Sequence, residues 1–308
     1  MEESKKNISG FIGIVGPTNS GKSTLLNALV GRKISIVSPK VQTTYRGVSG
    51  ILNSDEGQVV FTDTPGYQRH PERVAQLLNV VADQKASGCD AVVWVFDSSG
   101  PRVFEQILKL KEKIKALKPQ ELSFCVLNKV DKVDKLKLLP MTQSIWELGL
   151  FREVIPLSAK KGSGVDRLIK AVNPVLPEGE KLYPEDSVSD RSVDFHLSEF
   201  IREKIYQATH QEVPYSSWIE IERWNEKQDE DKVVKTETIH ATIHVDSDSR
   251  KGILIGKKGE MLKKIGTEAR KDIETFLGKH ICLKLHVNVQ SKWKEDSRFL
   301  NRYLELEG

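Results

Sequence analysis

Eight residues near the start of the chain, Gly16-Pro17-Thr18-Asn19-Ser20-Gly21-Lys22-Ser23, fit the phosphate-binding pattern GxxxxGK[ST], and Thr24 follows at once. Glycines there let the backbone wrap an anion and aim its N–H groups at the oxygens. Lys22 neutralises β- and γ-phosphate charge in such a loop, and Ser23 ligates magnesium. The loop alone does not separate ATP from GTP. Asn128-Lys129-Val130-Asp131 does. A carboxylate at Asp131 accepts two hydrogen bonds, from guanine N1–H and from the exocyclic amine. Adenine lacks that donor pair, and a buried Asp131 left without it costs about 1–3 kcal/mol. Ser158-Ala159-Lys160 adds a backbone N–H for the guanine oxygen.

Asp63-Thr64-Pro65-Gly66 supplies a carboxylate to hold magnesium through water and, at Gly66, an N–H for the γ-phosphate. Thr43 or Thr44 is expected to complete the magnesium shell when that phosphate is present. Metal ligands are then Ser23, Asp63 and one of these threonines. The catalytic set is Lys22, Gly66 and the same threonine, because phosphoryl transfer asks for positioning and charge rather than covalent chemistry. Many switch GTPases orient the attacking water with a glutamine directly after the last glycine of this motif. Here that residue is Tyr67, and Gln68 comes one position late. Intrinsic hydrolysis is expected to be slow and to depend on a partner or an ion.

These motifs need strands to end where they begin. Phe11–Val15, Val59–Phe61, Ala91–Phe96, Phe124–Leu127 and Val154–Leu157 are short apolar runs, and helical stretches lie near 22–30, 103–117, 136–149 and 164–176. Apolar strands alternating with helices predict a mostly parallel sheet covered on both faces, with ligands at the carboxyl ends of its strands. Residues 8–176 are read as this domain. Residues 177–193, with two prolines, a glycine and many charges, read as a linker.

Residues 194–308 follow a different pattern, in the order helix, strand, strand, helix, helix, strand. Thr238 to Val245 alternates, with Ile239, Ala241, Ile243 and Val245 on one face and His240 and His244 on a half-exposed other. Between the last two helices lies Gly256-Lys257-Lys258-Gly259, preceded by Ile253 and Ile255 and followed by Lys263 and Lys264. A GxxG turn of this kind lets backbone approach the phosphates of a single strand, beside an apolar groove that accepts bases. The chain of 308 residues carries a formal net charge of +4. Residues 1–180 hold 25 Lys and Arg against 19 Asp and Glu, and residues 181–308 hold 22 against 24. RNA contact therefore depends on the local lysine cluster, not on a global field. Cys89, Cys125 and Cys282 lie far apart without metal spacing, which predicts reduced thiols and a cytoplasmic setting. No apolar run reaches the roughly 18 residues of a membrane span.

Taken together, GPTNSGKST, SPKVQTT, DTPG, NKVD, LSAKKG, LYPED and GKKG resemble the Era family of bacterial GTPases, in order and from about residue 10 to 295. The resemblance implies a Ras-like GTPase domain joined to a type II KH domain. It implies binding to the 3′ region of 16S rRNA, help in 30S assembly and rRNA maturation, and peripheral contact with the inner membrane. It places Thr44 at the threonine that binds magnesium and acts in catalysis, Asn19 beside a potassium ion at the phosphates and Trp293 near the RNA. The sequence departs from the family at Tyr45, which intervenes before Arg46. An RNA-modification GTPase acting through a partner enzyme is the alternative. A P-loop kinase is disfavoured, because a guanine pocket has no use there.

Overall fold

The computed structural model describes residues 7–37, 47–67, 73–209, 213, 217–226, 237–291 and 293. Thr43, Thr44, Tyr45, Arg46 and Gln68 lie outside them. The described residues form two compact units. The first runs through Ser35 and then through Asp190; the second holds Arg191 onward, together with Ile36 and Val37.

The first unit is a six-stranded sheet ordered β2-β3-β1-β4-β5-β6. Its strands are β1 (Ile8–Val15), β2 (Ser49–Ser54), β3 (Gly57–Asp63), β4 (Ala91–Asp97), β5 (Ser123–Asn128) and β6 (Glu153–Pro156). All neighbours are parallel except β2 and β3. The central strands are apolar at consecutive positions because helices cover both faces: Val92 through Phe96 are all fully buried. The helices are α1 (Lys22–Val30), α2 (Arg73–Ser87), α3 (Val103–Leu117), α4 (Lys135–Trp146) and α5 (Val165–Val172). The sequence reading of this sheet holds, with β2 and α2 added to the elements it named.

Residues 177–190, read as linker, pack along this unit by hydrogen bonds. Gln58, fully buried, accepts from the N–H groups of Leu182 and Tyr183 at 2.8 Å each and donates to Tyr183 O at 2.9 Å. Further along, Ile51 N–H donates to Val188 O at 3.1 Å, and Asp190 N–H to Ser49 O at 3.2 Å.

The second unit contains α6 (Val193–Ala208), β7 (Ser217–Glu226), β8 (Glu237–Val245), α7 (Asp248–Ile255), α8 (Glu260–Leu277) and β9 (Ile281–Val289). β8 is central, antiparallel to β7 and parallel to β9. Helix–strand–strand–helix–helix–strand with this pairing is the type II KH arrangement. Ser192 caps α6 by accepting from Phe195 N–H at 3.3 Å. Phe200, Ile201, Ile205, Ile239, Ile243 and Ile273 form its core, each fully buried. The polar face of β8 is half-exposed as expected only at His240. Being the central strand, it is covered from β7: Trp218 stacks on His244 with centroids 3.9 Å apart, and Glu222 accepts from Thr242. His244 and Thr242 are buried as a result.

Candidate nucleotide and nucleic-acid sites

The phosphate loop joins β1 to α1. Gly16 has φ 144° and Gly21 has φ 96°, both in the range that favours glycine. There is no room for a side chain at either: a Cβ on Gly16 would lie 2.3 Å from Val95 O, and one on Gly21 would lie 2.3 Å from Asn128 Nδ2. Asn19 is also left-handed, at φ 61°. Lys22 Nζ donates to Gly16 O at 3.2 Å and Pro17 O at 3.0 Å. Burial lowers its pKa to about 8, against the opposing pull of Asp63.

Asp63 ends β3 and is fully buried. Its Oδ2 accepts from Ser23 Oγ at 2.7 Å and Ser35 Oγ at 3.3 Å. Oδ1 is buried with no hydrogen-bond partner among the described residues, and so is Ser20 Oγ. Burial raises the Asp63 pKa, with Lys22 and the two serines opposing. A divalent cation here would reverse that balance. Serine hydroxyl, buried carboxylate and an orphaned oxygen fit magnesium held partly through water. Among the described residues no group of three or more His, Cys, Asp or Glu could hold a metal. Thr44, the remaining expected ligand, lies outside the described residues.

Thr64 Oγ1 donates to Ile14 O at 2.9 Å, and Pro65 is buried. These bonds press the Asp63-Gly66 segment onto β1. Gly66 rests against the phosphate loop, since a Cβ there would sit 2.8 Å from Lys22 Nζ. Tyr67 points away from the loop into the core cluster with Trp94 and Phe96, so its side chain does not orient a water molecule.

Asn128 joins the two halves of the nucleotide site. Its Nδ2 donates to Ser20 O at 2.9 Å, and its Oδ1 accepts from Lys129 N–H at 2.8 Å and Ala159 N–H at 3.0 Å. Lys129, left-handed at φ 67°, reaches Asn19 O at 2.7 Å and Asp97 Oδ2 at 2.6 Å. Asp131 Oδ1 accepts from Ser158 Oγ at 2.5 Å, and that hydroxyl holds its pKa below the usual carboxylate range. The expectation of a buried Asp131 is corrected. It stands exposed, because it lies within the short 3-10 turn Val130–Lys132 that follows β5 instead of ending the strand. Guanine itself must supply the burial that makes the pairing selective. Ala159 N–H is engaged by Asn128, and Lys160 beside it is exposed. Thr24 is half-buried in the first turn of α1.

Sequence reasoning missed Asn27. From inside α1 its side chain accepts from Ile34 and Ser35 N–H at 2.9 and 2.8 Å and donates to Ser35 O at 2.7 Å. That brings Ser35 to Asp63. The only local signal was a polar residue within the apolar run 25–30. Asp97, which seats Lys129, was missed for the same reason: its role is visible only across 32 residues.

In the second unit Gly256 (φ 69°), Lys258 (φ 52°) and Gly259 (φ 80°) make the turn between α7 and α8. A Cβ on Gly256 would lie 2.7 Å from Met261 Cβ. Lys257, Lys258 and Lys263 are exposed. Ile253 is 48% exposed and Ile255 half-buried. Beside the turn runs a groove of about 420 Å³ between α8 and β9, lined by Gly259, Leu262, Gly266, Arg270, Leu283 and Leu285 among others. Of these six, Gly266 and Arg270 escaped the sequence reading. The α8 residues recur at helical spacing (259, 262, 266, 270), which would have found them. Trp293 is 6% exposed; its indole is packed into the unit, not presented for stacking.

A phosphate loop and an NKVD base motif on a Ras-like sheet, followed by a type II KH unit, define an RNA-binding GTPase class. Residues 11–129 match the 50S ribosome-binding GTPase family, and residues 199–294 match the KH domain family. The chain is 40% identical over 295 residues to GTPase Era of Syntrophus aciditrophicus (strain SB), covering 96% of this chain and 94% of that protein. It is equally 40% identical, over 299 residues, to GTPase Era of Geobacter sp. (strain M21), covering 97% and 98%. Among solved structures, Era in complex with MgGDPNP and nucleotides 1506–1542 of 16S ribosomal RNA matches with a TM-score of 0.83 at 35% identity, covering 96% of this chain and 98% of that one. A point variant of Aquifex aeolicus Era bound to GDP and AlF4⁻ matches at 0.82 and 34%, with the same coverage. The chain belongs to the Era family of GTPases.

Proposed function

We propose that this GTPase switches between GTP and GDP to control its binding to the 3′ region of 16S rRNA, and so assists 30S assembly and rRNA maturation. The observation that carries this reading is the pairing, in one chain, of the Asn128-clasped nucleotide site with a lysine-flanked GKKG groove. The solved Era complex that holds both a magnesium nucleotide and 16S rRNA aligns over 96% of the chain. Lys22, Ser20, Gly21 and Thr24 would hold phosphate. Ser23, Asp63 and Thr44 would hold magnesium, which supplies charge stabilisation when bound, and Asn19 would take potassium. Gly66 N–H would meet the γ-phosphate, while Asp131 and the Ser158-Lys160 turn read the base. With Tyr67 where a glutamine would orient water, turnover is slow without a partner or ion. Gly256 to Gly259 and Lys263 would place RNA phosphates, and the groove would select bases. The protein acts as a cytoplasmic monomer with peripheral contact at the inner membrane; no helix among the described residues is long and apolar enough to cross one.

Crosslinking in cells followed by sequencing of bound RNA tests the assignment. Enrichment of the 16S 3′ end is expected. Its absence, with other RNAs recovered in its place, would remove the assembly role.

A further inference from the structure

Tyr67, which takes the place of a water-orienting glutamine, is held on every side. It is 8% exposed. Its ring stacks on Trp94 of β4 with centroids 5.7 Å apart, and its hydroxyl donates to Asp83 Oδ1 of α2 at 2.7 Å. Lys113 of α3 completes the set: its ammonium lies 4.3 Å from the ring centroid and 2.8 Å from Asp83 Oδ2. One side chain thus ties together three elements.

The backbone of the same residue is fixed to the phosphate loop. Tyr67 N–H donates to Gly16 O at 3.0 Å, and its carbonyl accepts from Thr18 N–H at 3.4 Å. Gly66, one residue earlier, is wedged against Thr18 Cα and Lys22, where a Cβ would lie 2.9 and 2.8 Å away. With residue 67 pinned at its ring, hydroxyl, N–H and carbonyl, the Gly66 peptide cannot rotate far without unseating the ring.

We propose that Tyr67 is a positioning residue for the triphosphate. The Tyr67–Asp83–Lys113 latch holds the Gly66 N–H where a γ-phosphate oxygen accepts from it, so the latch favours GTP over GDP. Phenylalanine would stack on Trp94 as well, but only tyrosine reaches Asp83. The inference rests on the nucleotide-site reading above. Asp83 and Lys113 are 38% and 33% exposed, so water screens the pair and the effect is moderate.

The test uses the full chain, with fluorescent GDP and a fluorescent non-hydrolysable GTP analogue, and the variants Tyr67→Phe, Asp83→Ala and Asp83→Asn. Tyr67→Phe and Asp83→Ala should each lower the analogue-to-GDP affinity ratio about threefold to tenfold, the worth of part or all of one hydrogen bond near a charge. GDP affinity should stay within about twofold of the parent, because GDP has no γ-phosphate for Gly66 to meet. Asp83→Asn keeps an acceptor for the hydroxyl and should restore the parental ratio. Melting of each GDP-bound variant checks folding. An unmoved ratio in Tyr67→Phe, or equal losses for both nucleotides, would overturn the latch. Failure of the parent protein to bind either nucleotide would instead refute the site reading on which it stands.

Discussion

Replacing Asn128 by alanine separates two roles that the NKVD motif leaves merged: contacting the base and assembling the site. Asn128 is 2% exposed and makes three hydrogen bonds, to Ser20 O, Lys129 N–H and Ala159 N–H. Each is worth about 1 kcal/mol net, and the buried groups left behind find no water in a site so closed. The loss is therefore about 3 kcal/mol, near a 150-fold change in a binding constant. It falls on the junction of the phosphate loop with the base loops, so it should weaken GDP and IDP alike, although IDP lacks the exocyclic amine. Stopped-flow displacement of a fluorescent diphosphate gives the affinities, and thermal melting of the nucleotide-free protein should fall in parallel. A variant that melts like the parent and loses only its preference for guanine over hypoxanthine would refute the clasp.

Asp131→Asn should do the opposite: leave melting unchanged and move preference toward xanthine nucleotides, whose second carbonyl suits an amide donor; competition binding with XDP and GDP reads this directly. Lys22 gives a pH signature. Its pKa of about 8 lies below that of a free lysine, so the empty site holds a charged amine below pH 8 and a neutral one above. Phosphate binding then takes up a proton, and GDP affinity should fall toward tenfold per unit as pH rises above 8. Calorimetry in two buffers of different ionisation enthalpy measures that uptake, which Lys22→Met should abolish; Lys22→Ala should also end turnover. In the KH unit, Lys257→Ala and Lys258→Ala should each reduce the salt dependence of RNA binding by about one unit of log–log slope. Gly266→Met, which fills the groove beside Leu285, should weaken binding to the RNA 3′ segment without altering that slope, as fluorescence anisotropy across a salt series would show.

The residues assigned to the candidate sites were legible because they come in short strings. The strings at 16–24, 63–66 and 128–131 each begin where a strand ends, and those at 16–24 and 256–259 carry glycines with positive φ. What the sequence hid depends on distance along the chain. Asp97 acts on a partner 32 positions away, and Gln58 serves residues more than 120 positions away. β2 reads SGILNS, too short an apolar run to stand out, and it is a strand because β3 pairs with it. Asp131 was misjudged for a related reason: spacing located the carboxylate after β5 but said nothing of how far the turn lifts it into solvent. On β8 the alternation was right and the exposure right only at His240, since period two shows which residues share a face and not whether a neighbour covers it.

The segment 177–190 has a consequence for solubility. β2 is one outer strand of the six-stranded sheet, and an outer strand offers unpaired N–H and C=O groups to any extended chain that meets it. Here Val188 and Asp190 already occupy those groups at Ile51 and Ser49, in antiparallel pairing with Ser189 opposite Gly50. The protein blocks its own template for strand addition with the stretch of chain that leaves the domain. Prolines at 177 and 184, and the acidic residues between and after them, keep that stretch from passing the same invitation to the next molecule.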